Sequence, residues 1–73
     1  MPHVVVKLYP GVFEEKKTKI AEEISKIIQE HAEKPEGFIS VDIKDVPEDV
    51  WMEEVYEAEI KPNFEKLYKK PGY

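Results

Sequence analysis

Apolar and polar positions divide the chain into four periodic stretches. His3–Tyr9 (HVVVKLY) is β-branched and aromatic and ends at Pro10-Gly11, a turn signal, which predicts a first strand. From Phe13 to about Ala32, Ile20, Ala21, Ile24, Ile27 and Ile28 recur at helical spacing and predict a long amphipathic helix. Its other face spaces Glu15 with Lys19, Glu22 with Lys26 and Glu30 with Lys34, Glu four residues ahead each time, the favourable order for a solvated charged face. Lys34-Pro35-Glu36-Gly37 breaks the pattern, and Phe38–Val46 (FISVDIKDV) alternates as a second strand. Ile39, Val41 and Ile43 share one face, and Phe38, Ser40, Asp42 and Lys44 the other. Pro47 suits a first helical turn, with Glu48 and Asp49 following where the helix dipole favours acids. A second helix is expected through Trp51, Val55, Ala58 and Glu59 until Pro62 interrupts it. Asn63–Lys70 could resume it, with Phe64, Leu67 and Tyr68 as its apolar residues.

Strand, long helix, strand, helix predicts an α+β fold, a β-α-β unit with parallel strands, a right-handed crossover and a C-terminal helix. Two strands with helices on one side leave a face and both edges uncovered, so self-association follows from topology, most simply as a two-fold dimer. At 73 residues the chain reads as one domain, 1–73, of a length at which a lone monomer is marginal.

Composition narrows the function. The net charge is -5 and arginine is absent, which argues against nucleic acid and anionic membrane surfaces as partners. There is no cysteine, and two histidines without ligand spacing give no metal-site signature, so the expected protein uses no metal and no cofactor. No leader-like segment or membrane-length apolar run stands in the sequence, which predicts a cytoplasmic location. Adjacent acids such as Glu22-Glu23 and Glu53-Glu54 point about 100° apart on a helix and cannot face one substrate. The scattered glycines make no phosphate loop. Tyr56, Phe64, Tyr68 and Tyr73 suit packing of the C-terminal segment onto a partner.

One candidate base stands out. Pro2 precedes the first strand, and once Met1 is removed its ring nitrogen is a secondary amine. An α-amino group titrates at about 7.7 to 8.0, so modest desolvation brings it into the range of a general base. The rigid ring would also fix the direction of its lone pair. The bland alternative is a proline that merely caps an edge strand and permits methionine removal.

The Pro-x-Val-x-Val-type strand, the Pro-Gly turn, a helix of some twenty residues, the Lys-Pro-Glu-Gly break, an alternating strand and an aromatic at Trp51 together resemble the 4-oxalocrotonate tautomerase family, over Pro2 to Val55. The remainder, with its Lys-Lys-Pro-Gly-Tyr ending, is similar to the dimeric bacterial phenylpyruvate tautomerase group. The resemblance implies a four-stranded sheet built by two copies, Pro2 as general acid and base, and a 2-keto acid such as an aryl pyruvate as substrate. It places Trp51 as an aromatic beside the base. Where it implies two carboxylate-binding arginines the chain has Val12 and Ser40, so a monocarboxylate or neutral enol fits better than a dicarboxylate. Ser40, Phe38 and Lys7 are candidate substrate-binding residues, Lys7 doubling as an ordinary edge-strand lysine, and His3 could relay protons or tune the amine. The reading is a cofactor-free keto-enol tautomerase acting as a homodimer. Its rivals are a catalytically silent dimer of the same fold serving as a binding module, and an unrelated ligand-binding α+β dimer.

Overall fold

In a computed structural model describing residues 1–73, His3–Leu8 forms strand β1 and Ser40–Asp45 strand β2, paired in parallel with His3 opposite Ser40 and Leu8 opposite Asp45. Between them runs helix α1, Glu14–Ala32. The β1–α1 turn bends at Gly11, whose φ of 120° is open to glycine and strained for other residues. Helix α1 lacks a side-chain cap at Phe13, but the Phe13 carbonyl accepts from the N–H groups of both Lys16 and Lys17 at 3.0 Å. Glu14 and Glu15 complement the dipole of that first turn. The helix ends through Glu33, a non-glycine residue in the left-handed region (φ 53°), one residue ahead of the expected break.

Helix α1 lies over the sheet face carrying Val4, Val6, Val41 and Ile43, and Lys17 bonds Asp45 at 3.0 Å from that side. Its half-buried stripe is Ile20, Ala21, Ile24 and Ile28. Ile27, expected on the stripe, is 55% exposed, because one step from Ile28 turns it about 100° toward solvent. None of the three expected Glu–Lys pairs closes: Glu15–Lys19 and Glu22–Lys26 stay open on an exposed face where such pairs gain only a few tenths of a kcal/mol, and Lys34 lies beyond the end of α1, with Glu30 3.8 Å from His31 instead.

Past β2 the chain departs from expectation. A short helix α2, Glu48–Trp51, passes into nine residues of π-helix, Met52–Ile60, and then into a 3₁₀ turn, Lys61–Lys66. Pro62 does not interrupt this run. It sits in the first positions of the 3₁₀ turn, where its missing N–H is not required, and Lys61 N–H donates back five residues to the Tyr56 carbonyl. Nor does helix continue to Lys70, because Leu67 is extended and leads Tyr68 away from the body. The segment packs on the sheet face opposite α1, where Val55 is buried and Glu59 pairs with Lys7. Helical structure thus covers both faces, not one.

What remains open is the edge of β1. The Pro2 and Leu8 carbonyls accept from the N–H groups of Ser40 and Val46, so even-numbered residues of β1 direct their peptide groups to β2. Those of His3, Val5 and Lys7 therefore face the free edge. Only Val46 and Val55 are buried, and the accessible surface of 5881 Å² exceeds the roughly 4,700 Å² typical of a monomer of this mass. The Cα radius of gyration, 13.8 Å, likewise exceeds the roughly 11 Å of a compact chain of this length. No helix is long and apolar enough to cross a membrane.

Candidate active site

The largest cavity is walled by aromatic rings at the C-terminal end of β1. Trp51, the last residue of α2, meets Tyr9 edge to face, ring centroids 5.1 Å apart at 84°. Its Nε1 donates to Tyr73 Oη at 3.1 Å, and the Tyr73 ring lies 5.8 Å from that of Tyr56. The chain terminus is thereby folded back over the sheet. With Lys7, Leu8 and Met52 these rings enclose about 640 Å³, a volume within the range of small-molecule sites. Lys7 is the only cation on this wall, and its Nζ is held in an ion pair with Glu59 of the π-helical segment. A flat aromatic group with a small polar head matches such a lining.

The other end of β1 gathers a second group. Pro2 is half-buried, and its carbonyl accepts the Ser40 N–H at 3.2 Å. His3 Nδ1 lies 2.6 Å from Ser40 Oγ, both side chains exposed on the face opposite α1. Met1 is 93% exposed.

Among the sequence-derived candidates, Pro2, His3 and Ser40 come together, and Lys7 and Trp51 come together. The two groups stand apart: the six residues of β1, His3–Leu8, separate Pro2 from Tyr9, about 23 Å at the rise of a strand. Within one protomer Trp51 does not stand beside Pro2. Phe38 belongs to neither group, because Glu36–Phe38 is a 3₁₀ turn ahead of β2 and not part of the alternating strand, and its ring is 53% exposed. Val12 lies in the turn after β1, across the length of the sheet from Ser40.

One titration is displaced. Hydrogen bonding to Asp45, joined by the charges of Asp45 and Glu14, raises the Lys17 ammonium above its ordinary 10.5, against a smaller opposing effect of burial. Lys17 sits on the α1 side of the sheet and is not among the residues that line the cavity, and its bond to Asp45 ties α1 to β2.

Sequence periodicity missed Tyr9, Met52, Tyr56 and Tyr73 as cavity walls. The available signal is the spacing of Trp51, Val55, Ile60 and Phe64 by four, five and four residues, wider than an α-helix and matched by the π-helical turn that aims Met52 and Tyr56 at Tyr9.

A family model described as "Tautomerase enzyme" matches residues 2–56, a match that begins at Pro2. Over 74 aligned positions spanning all of this chain and 97% of the relative, the sequence is 39% identical to Tautomerase PptA of Pectobacterium carotovorum subsp. carotovorum (strain PC1). With the same coverage it is 35% identical to Tautomerase PptA of Cronobacter sakazakii (strain ATCC BAA-894) and 34% identical to that of Escherichia coli O127:H6.

Proposed function

From the premise that the chain belongs to the tautomerase family and is an enzyme of the isomerase class, we propose that it interconverts the keto and enol forms of an aryl 2-keto acid, with Pro2 as the acid-base residue of a homodimer. Removal of the exposed Met1 turns the Pro2 nitrogen from an amide, which cannot take a proton, into a secondary amine. In ketonisation the amine takes the enol hydroxyl proton, the electron pair closes the carbonyl, and a proton from the pyrrolidinium is delivered to the neighbouring carbon. The amine is regenerated and no other reagent is consumed. An amine close to neutrality in pKa serves both steps, and an apolar wall favours its neutral form.

The observation that carries the reading is the aromatic cavity of about 640 Å³, together with the open edge that brings it to a base. A two-fold axis normal to the sheet pairs the free edges of two β1 strands antiparallel, engaging the peptide groups of His3, Val5 and Lys7. Centred on Val5 or Val6, this pairing lays the Pro2–His3 end of one protomer beside Leu8 and Tyr9 of the partner subunit. The base of one copy then stands at the mouth of the aromatic cavity of the other. The free edge of β2, with Asp42, Lys44 and Asp45, is guarded by charge, whereas β1 presents Val4, Val5 and Val6. The surface in excess of a compact monomer, about 1,200 Å² per protomer, is of the size a stable homodimer buries.

Ketonisation of an enolised aryl pyruvate, followed by loss of enol absorbance, tests this directly. Pro2→Ala and a variant retaining Met1 should both lose about 10² to 10⁴-fold in rate, the usual contribution of a positioned acid-base group. Full activity in Pro2→Ala removes the base, and inactive wild type on every aryl or alkyl 2-keto acid favours the silent dimer.

A further inference from the structure

The His3–Ser40 pair has no part in the proton transfers above, yet it is tied to the base. Ser40 N–H donates to the carbonyl of Pro2, and Ser40 Oγ lies 2.6 Å from the imidazole of the next residue. Two exposed side chains bonded to each other gain little over bonding to water, so stability does not explain the contact. Its effect is geometric. With the Ser40 hydroxyl as donor to Nδ1, the neutral ring carries its proton on Nε2, and the imidazolium carries one on each nitrogen, so that Nε2 presents an N–H donor in either state.

We propose that His3, oriented by Ser40, binds the carboxylate of the 2-keto acid through Nε2–H; the inference rests on Pro2 being the base. The carboxyl carbon of a 2-keto acid is two bonds from the carbon that exchanges its proton. A group that holds the carboxylate therefore has to stand immediately beside the base, and His3 is its chain neighbour. His3 shares a sheet face with Val5 and Lys7, and Lys7 lines the aromatic cavity, so in the antiparallel dimer proposed above the acid head and the aryl tail of one substrate have their partners on the same side. The other cations of that face are already engaged: Lys7 by Glu59, and Lys44 by Asp42 at 3.1 Å. His3 has no acidic partner, and no arginine exists anywhere in the chain. Ser40 acts as a positioning residue, its hydroxyl donating to Nδ1 and setting the direction of the ring.

The test compares an enolised aryl pyruvate with its methyl ester, which keeps the aryl group and the reacting carbon but lacks the charge. His3→Ala should raise KM for the acid roughly ten- to a hundredfold, the range for a hydrogen bond to a charged group, with kcat little changed and KM for the ester within about twofold of wild type. His3→Gln, whose side-chain amide still donates, should recover part of the loss on the acid alone. Ser40→Ala should give an intermediate KM. Equal effects of His3→Ala on acid and ester, or no effect on either, overturn the proposal while leaving Pro2 untouched. Undiminished ketonisation of both by Pro2→Ala overturns the reading beneath it as well.

Discussion

Mixing two inactive variants should restore activity if the site is shared between protomers. Pro2→Ala lacks the proposed base, and Trp51→Ala lacks the ring that meets Tyr9 at 5.1 Å and donates to Tyr73. Trp51→Ala alone should fall about ten- to a hundredfold in kcat/KM, corresponding to the loss of one large apolar contact. In a mixed dimer, the Pro2 of the Trp51→Ala chain faces the intact aromatic cavity of the Pro2→Ala chain, while the second site carries both defects. Random exchange of equal amounts gives about one half mixed dimers, each with one intact site of two, so activity should rise to about a quarter of wild type. A site confined to one protomer cannot be rescued this way, since each variant chain carries its own defect into any site it builds alone; the separation of about 23 Å between Pro2 and Tyr9 along β1 is what calls for a shared one. The assay is ketonisation after unfolding and co-refolding, with circular dichroism confirming that each variant folds and sedimentation confirming that it dimerises. Activity of the mixture equal to the mean of the two variants would refute a shared site.

Two further outcomes follow from contacts already described. Tyr73→Ala removes the acceptor of the Trp51 N–H and one wall of the cavity, so KM for aryl pyruvates should rise about three- to tenfold, the worth of one aromatic contact, while an alkyl 2-keto acid is unaffected. Lys17 is raised by its bond to Asp45, so its charged form is favoured by folding. The stabilisation is complete at pH values below 10.5 and is lost as pH rises through the elevated folded value; thermal melts of Lys17→Met should show a deficit against wild type at neutral pH that closes in that alkaline window. A deficit of constant size across it would assign the loss to packing instead.

The β-α-β core was legible because its signals are local. Val4, Val5 and Val6 ahead of Pro10-Gly11, the Ile20, Ala21, Ile24 and Ile28 stripe, and the alternation of Val41 and Ile43 each specify their element without help from distant contacts. The end of α1 was less legible, since Glu33 adopts a left-handed conformation that propensity assigns to glycine. Beyond Trp51 local reasoning fails, because the π-helical pitch is selected by tertiary packing of Val55 against the sheet and of Glu59 against Lys7. Pro2 could be singled out only from its position at the head of β1 taken together with the pattern that resembles a known family, whereas its separation from Trp51 becomes visible only when β1 is given its length. The Ser40 contact to His3 depends on the parallel register, which periodicity leaves unspecified.

The π-helical stretch carries a consequence for how this chain can change its length. One residue removed between Met52 and Ile60 would let the backbone relax toward α-helical pitch and rotate everything downstream by about 100°. Leu67 would swing away from Val5 and Lys7, and Tyr73 would lose its place against Trp51, even though both side chains were still encoded. Deletions there should be purged from the lineage more strictly than conservative replacements at the same positions, so the register of this segment is inherited as a count of residues as much as a set of them.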